Sequence, residues 1–335
     1  IVPFILTSSV KNNWKFNFVD YKISNLFKQE GDLLILVRKY HDGKTSEKGI
    51  INELKSLRKN FKKIVYFDDS AAASVIFFCA FPFVDEYWKR SKLINTLIYK
   101  KKLYGGHLYS DYYSKKFGLN DGDQEFYNFV MDDHTNLNKL KISWNIGIGA
   151  YPTNNNLITN HNYLFIRRFT TAMTLLPSIK PIHNILSNYL NRMKNELIKE
   201  VNLKRKIMKF SSRFIDAHYR KTVGYQRNIL IKNTKKNQIF LVGHKNKKDF
   251  IEETYQVFGT LSPFGWGEIC YRDFEAALGG SLLIKPDMSH IDTWPNLYEK
   301  NMYIPLSWDL SNLQDLEYLF DNIEKCEQAV NLLDK

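Results

Sequence analysis

The stretch SPFGWGEICYRDFEAALGG at 262–280 constrains the fold more than any other part of the chain. Phe264, Gly265, Trp266 and Gly267 read as an aromatic, glycine-bearing loop that runs into a short helix. Gly279 and Gly280 stop that helix, and the apolar run SLLIK at 281–285 follows as a buried strand. IFLVG at 239–243, after allowance for an intervening helix, supplies the strand on the other side. This is the layout of a nucleotide-binding βαβ unit. A helix N-terminus there offers unpaired amides and a positive dipole end to a phosphate.

The expected helix has two faces. Cys270, Phe274, Ala277 and Leu278 fall at i, i+4, i+7 and i+8, an apolar stripe suited to packing on a sheet. Glu268, Arg272 and Glu275 form a second, charged stripe at i, i+4 and i+7. One reading makes Glu268 and Arg272 a solvated pair worth roughly 0.2–0.5 kcal/mol. The other, favoured by the glycine-aromatic-glycine loop just ahead, faces the stripe to a ligand. Arginine can then bind a pyrophosphate bidentately, and a nearby carboxylate can accept the hydroxyls of a ribose.

These residues resemble the donor-binding segment of GT-B glycosyltransferases, most closely the exostosin-like and group-one families. Gly265-Trp266-Gly267, Arg272, Phe274-Glu275-Ala276 and Gly279-Gly280 match the pattern in order over about twenty residues. A looser similarity runs through FDDS at 67–70, YGGHLYSDYYSKKFG at 104–118 and KISWNIG at 141–147. The group-one pattern places its first Glu before the loop, whereas Glu268 follows it, which moves the resemblance toward the exostosin side. The resemblance implies two Rossmann-like domains facing across a cleft. It also implies a nucleotide-diphosphate sugar as donor, ribose binding by Glu275, and a diphosphate held by loop amides and basic side chains.

Composition allows this and excludes little else. A chain of 335 residues is comfortable for two domains of about 130–170 residues each. Its 44% hydrophobic and 15% aromatic content implies real cores rather than disorder. The longest apolar run, ASVIFFCAFPFV at 73–84, is broken by Pro82 and is too short to span a bilayer. The first residues, IVPFILTSSV, lack a Met, as in a fragment or trimmed chain, and carry no charged n-region of a signal peptide. Three widely spaced cysteines, Cys79, Cys270 and Cys326, point to a reducing cytosol rather than to a disulfide framework or zinc site. The net charge of +13 is spread along the chain. No nucleic-acid module is evident, and a basic surface meeting an anionic cytoplasmic leaflet or a lipid-phosphate acceptor explains the charge equally well.

The pattern along the chain is parallel α/β. DLLILVRKY (32–40), SEKGIINELKSLRKNF (46–61) and KIVYFDD (63–69) read as strand, helix and strand, with AAASVIFFCAF as the next crossover helix and VDEYWKRS as a further strand. KISWNIG closes an N-terminal, acceptor-side domain over 1–155, and a helical connection spans 156–205. The donor-binding domain over 206–335 runs KIMKFSSRF strand, AHYRKTVGYQRNILIKN helix, QIFLVG strand, KDFIEETYQVFG helix and then the motif. The terminal segment over 313–333 reads as an amphipathic helix, and the GT-B resemblance implies that it returns to the first domain.

Each side of the cleft carries candidates. Ser212 and Arg213 follow the first strand of the second half, where strand ends face a ligand crevice. Arg213 is a second phosphate ligand or simply a surface arginine. Asp68 and Asp69 end the strand KIVYF, where either is placed to deprotonate an acceptor hydroxyl or to cap the next helix. His107, after two glycines, is a third candidate base, and His41 a more remote one. Adjacent carboxylates also suggest a divalent-metal motif, but they lie in the other half of the chain from the GWGE loop and lack acid–any–acid spacing. No metal or cofactor is expected. Trp294 and Trp308 are read as buried rather than as stacking platforms. The resulting expectation is a metal-independent cytoplasmic glycosyltransferase of polysaccharide or glycan synthesis, with a glycan or lipid-linked acceptor and peripheral contact with the membrane left open. A non-catalytic nucleotide- or sugar-binding protein and a GT-B-shaped nucleotide-sugar epimerase are the alternatives.

Overall fold

The computed structural model describes residues 23–38, 41, 46–145, 206–215, 219–299, 302–316 and 318. The chain divides into one unit of Ile1–Gln29 with Gly149–Glu200 and another of Glu30–Ile148 with Val201–Lys335. Of the first, only the turn of 3-10 helix at Ile23–Lys28 and Gln29 are described. The helical connection expected over 156–205 lies outside the described residues, as does most of the terminal helix.

The second unit is mixed α/β and contains two parallel sheets of Rossmann-like character. Strands β1 (Gly31–Val37), β2 (Phe61–Asp68), β3 (Glu86–Lys89) and β5 (Leu140–Ile142) form the first sheet in that order, all parallel. Helix α1 (Glu47–Leu57) joins β1 to β2. Ser46 caps it by accepting from the Gly49 N–H, and Ile50, Leu54 and Leu57, spaced for one helical face, are buried. The short β4 (Ser91–Leu93) leaves this sheet and pairs antiparallel with β10 (Ile291–Thr293) from the other half of the chain.

The crossover helix expected from AAASVIFFCAF does not form. Residues 72–81 make turns and one 3-10 turn at Phe78–Ala80. Ala72, Ala73, Val75, Ile76, Phe77, Phe78, Ala80 and Phe81 are all buried. A segment enclosed on every side has no solvent face to give a helix, and side chains satisfy its backbone instead. Tyr87 accepts the Phe77 N–H at 3.1 Å and Glu268 accepts the Ala73 N–H at 3.1 Å.

The second sheet has five parallel strands. These are β6 (Ile207–Ser212), β7 (Phe240–Val242), β8 (Val257–Leu261), β9 (Leu282–Pro286) and β11 (Ile304–Leu306), in the spatial order β11-β9-β8-β6-β7. Helices α2 (Leu108–Phe117), α3 (Lys221–Thr234), α4 (Lys247–Gln256) and α5 (Tyr271–Leu278) complete the unit. The strand before the glycine-aromatic loop is therefore β8, not IFLVG, and VFG belongs to it rather than to the preceding helix. All five β8 residues are buried, and a side chain on Gly259 would meet the Phe210 ring at 2.5 Å. Phe210, Leu230, Leu261, Leu282, Ile284 and Leu306 form the core on this sheet. Among the described residues no helix is long and apolar enough to cross a membrane.

Candidate functional site

The second sheet reverses its winding between β6 and β8, since the chain moves outward to β7 and then returns past β6. In open parallel sheets such a switch point, at the carboxyl ends of the strands, leaves a crevice for ligands. Two segments leave that edge: Arg213 onward after β6, and the loop 262–270 after β8.

The loop ends in a self-capped helix. Cys270 is the N-cap of α5, and Asp273 accepts the Cys270 N–H at 3.0 Å. Glu268 thus precedes α5, and the charged stripe Glu268–Arg272–Glu275 is not one helical face. Nor is the apolar stripe as expected. Asp273, Phe274 and Ala276 are the buried positions, whereas Ala277 is exposed. Asp273 is tolerated inside because Ser262, Tyr298 (2.6 Å) and Lys285 (3.2 Å) also donate to it. Gly280 adopts φ 55°, and a Cβ on Gly279 would lie 2.7 Å from the Thr254 carbonyl oxygen, so both glycines are required where α5 ends.

Three arginines gather around the loop. Arg227 of α3 donates to the carbonyl oxygens of Phe264 (2.6 Å) and Ile215 (3.0 Å). Arg272 of α5 donates to Arg213 O at 2.9 Å, and its buried Nε has no hydrogen-bond partner among the described residues. Arg220 donates to Gly105 O at 2.9 Å, and among the described residues its Nε is likewise unpartnered. Among the described residues none of the three has a carboxylate partner. Burial, and behind it the positive charge of Arg227, lowers the Arg272 pKa. Arg227 Nη2 would lie 3.3 Å from a Cβ on Gly265, so the bare glycine keeps the guanidinium against the loop backbone. Trp266 is 50% exposed, with Tyr219 and Arg220 beside its ring.

Glu275 lies one turn beyond Arg272. Its carboxylate has no partner among the described residues, and burial pushes its pKa up to about 7. Arg213 differs from the trio. Glu253 grips it at 3.1 and 2.9 Å, Val242 O accepts from it, and Lys245 approaches the same carboxylate at 2.7 Å. Glu253 is shared between two cations, but the Arg213 guanidinium is held by Glu253 and Val242 O, so it is not open to a phosphate as the trio is. Ser212 is buried and donates to Thr234 Oγ1 at 3.1 Å, a structural contact.

The first half of the chain closes on the loop. His107 Nε2 lies 3.0 Å from Trp266 O, and its Nδ1 lies 2.8 Å from Gly105 O. Tyr109 donates to Gly265 O at 2.8 Å, and a Cβ on Gly267 would lie 2.0 Å from Ala71 O. A neutral ring has one N–H and so donates to one of these carbonyls, and Ser110 Oγ lies 3.5 Å from Nδ1. Buried among these groups, His107 joins two loops and does not face an acceptor hydroxyl. Asp68 is corrected in the same way. It is buried and receives Tyr87 (2.6 Å), Lys89 (3.3 Å), Arg38 (3.4 Å) and the Ser70 N–H (2.8 Å). Burial opposes its ionisation, but Lys89, Arg38 and the donors hold its pKa at about 2. Such a carboxylate is a poor proton acceptor. Asp69 is exposed at the end of β2, and its charge reaches Arg90. His41 is buried between Tyr66 (2.9 Å) and Glu53 (3.0 Å). Trp294, expected inside, is 65% exposed.

Sequence reasoning missed Arg220 and Arg227. The only signal was their position in the segment after the first strand of the half that carries the motif. Among the described residues no three His, Cys, Asp or Glu side chains converge as metal ligands. No protein-family model matches the chain, and no curated protein matches it.

Proposed function

We propose that this chain is a glycosyltransferase of GT-B type that takes a sugar from a nucleotide-diphosphate donor, without a metal, and passes it to a glycan or lipid-linked acceptor. The observation that carries the reading is the trio Arg220, Arg227 and Arg272, which among the described residues pair with no carboxylate, around a glycine-bearing loop at the switch point of a parallel sheet. Buried guanidinium groups without a paired carboxylate are costly, and a diphosphate would neutralise them bidentately. Charge grows on the leaving diphosphate as the glycosidic bond breaks, and pre-placed donors stabilise it there. Glu275 is the acceptor for ribose hydroxyls, and the exposed Trp266 ring is a stacking surface. Asp69 keeps the exposed carboxylate on the acceptor side. Work at the inner face of the membrane, on polysaccharide or glycan synthesis, accords with the basic chain.

Isothermal titration with UDP, GDP and ADP tests the donor site. At least one should bind, and Arg227→Ala should weaken it by roughly tenfold or more, as loss of a charged hydrogen bond does. Transfer or hydrolysis of the matching nucleotide sugar, undiminished by EDTA, separates the enzyme from a non-catalytic binding protein. Absence of binding by all three nucleotides, or an Arg227→Ala variant that binds like wild type, would overturn the reading.

A further inference from the structure

Trp144 and Trp294 take no part in the arginine site, yet both stand in solvent, 40% and 65% exposed. They come from opposite halves of the chain and meet through their backbones. The two residues form a parallel β-bridge, and the Asn145 N–H donates to Trp294 O at 3.0 Å. Asn145 Nδ2 donates to Thr293 Oγ1 at 2.5 Å, and that hydroxyl donates to Arg90 O at 2.9 Å. The Trp144 ring packs on Phe67, with centroids 5.2 Å apart, and stands edge-on to Trp88 at 6.5 Å. Glu86 accepts the Trp88 Nε1–H and so fixes that ring as well.

The patch lies at the carboxyl edge of the first sheet. Asp68, Lys89 and Ile142 are level at the ends of β2, β3 and β5, and the Ser143 N–H extends the ladder to Lys89 O at 2.8 Å. Asp69, Arg90 and Ser143 therefore leave the sheet side by side, from strands about 4.8 Å apart. Asp69 is exposed. Arg90 Nε donates to Ser70 O at 2.9 Å, and its terminal nitrogens have no hydrogen-bond partner among the described residues. Single exposed apolar side chains are ordinary, but contiguous ones mark an interaction site.

Charge separates the occupants. Among the described residues around the patch, Arg90, Lys92 and Lys141 are offset by Asp69, Glu86 and Asp292. Balanced charge gives no pull on an anionic membrane or a polyanion. A neutral sugar fits instead. Its apolar ring face can lie on an indole, removing both surfaces from water. Its hydroxyls can donate to the Asp69 carboxylate and accept from the Arg90 guanidinium.

We propose that Trp144 and Trp294 form an aromatic platform for a sugar ring, rimmed by Asp69 and Arg90, on which the acceptor glycan docks. The word acceptor rests on the glycosyl-transfer reading; the platform stands on its own geometry.

Saturation-transfer NMR on the full chain, with cellotriose, maltotriose, chitotriose and mannotriose as probes, tests the platform. At least one should bind wild type, with the strongest transfer to its ring C–H protons. Trp294→Ala and Trp144→Leu should each weaken it roughly tenfold, and Trp294→Phe, which keeps a ring, should retain most of the affinity. Each variant is first checked for wild-type thermal unfolding. Trp144→Leu keeps apolar bulk against Phe67 and Trp88, and the exposed Trp294 carries the test alone should that variant fail to fold. UDP, GDP and ADP affinity should be unchanged in Trp294→Ala. No trisaccharide binding in wild type, or wild-type binding in Trp294→Ala, would overturn the platform and leave the donor reading to the nucleotide titrations. Trp294-dependent trisaccharide binding without binding of any nucleotide would overturn the donor reading, and the acceptor role with it, and leave the platform standing. Flotation with phosphatidylcholine–phosphatidylserine vesicles, or a dimer in sedimentation velocity, abolished in Trp294→Ala would overturn the sugar and assign the patch to a membrane or to a second copy of the chain.

Discussion

Asp68 and Glu275 are both carboxylates removed from water, and their surroundings give them opposite tasks. Asp68 is surrounded by donors and paired with Lys89, whose own pKa burial pulls down to about 8. Removing one member of a buried pair strands the other, so Asp68→Asn should cost about 3–5 kcal/mol, measured by urea unfolding at neutral pH. The stabilisation from Asp68 is present above its ordinary value of 3.8 and is lost as pH falls toward about 2. The pH dependence of unfolding between these values should therefore be shallower in the Asn variant, and wild-type stability would refute the account. Glu275 shows the reverse. Burial raises its folded pKa from 4.5 to about 7, so ionisation destabilises the fold as pH rises through that window. Glu275→Gln should stabilise the free protein above pH 7, by about 1–3 kcal/mol before allowance for its partial exposure. It should also weaken nucleotide binding, whereas a purely structural glutamate would leave binding untouched. Sequence placed both carboxylates correctly on their elements. It did not place the partners of Asp68, because Arg38, Tyr87 and Lys89 come from neighbouring strands 19–30 positions away.

At the scale of elements, periodicity carried most of the reading. Helix α1 was legible within the segment 46–61, and β1, β2, β6 and β9 as short strand-like runs. The misreadings share a cause. A fully enclosed segment carries no amphipathic signal. The 72–81 segment is apolar all round and looks helical, yet its backbone is satisfied by Tyr87 and Glu268. β8 begins directly where α4 ends, and only the buried approach of Phe210 to Gly259 marks it as a central strand. Lys206 is a further case of information that sequence does not hold. It reaches the carbonyl oxygens of Val257 (3.0 Å) and Gly279 (2.9 Å), and those of Thr254 and Tyr255. Its charge thereby meets the negative ends of both α4 and α5. Within a run of lysines, nothing distinguished it.

Across the whole molecule, both sheets belong to one unit, and buried polar links hold them there. Thr222 at the start of α3 donates to Asp121 twice at 2.8 Å, and Gln226 donates to Tyr113 Oη at 2.6 Å. The candidate donor loop is thus shaped by both halves of the chain. Its tightest point is Gly267, where an added methyl would lie 2.0 Å from the Ala71 carbonyl oxygen. That neighbour is backbone and cannot swing aside. Gly267→Ala must push the loop and the 70–74 segment apart, disturbing the Glu268–Ala73 bond one residue away. The cost should be at least about 1–3 kcal/mol, the range for overpacking, and amide exchange at Ala73 should accelerate. Gly265→Ala provides the comparison, since its nearest neighbour is the far end of the Arg227 side chain at 3.3 Å rather than backbone. A shared fold also requires that unfolding of Gly267→Ala followed by circular dichroism and by tryptophan fluorescence remain a single coincident transition. Wild-type stability in Gly267→Ala, or a larger loss in Gly265→Ala, would mean that the loop is not clamped by the 70–74 segment and that the donor site belongs to the second half alone.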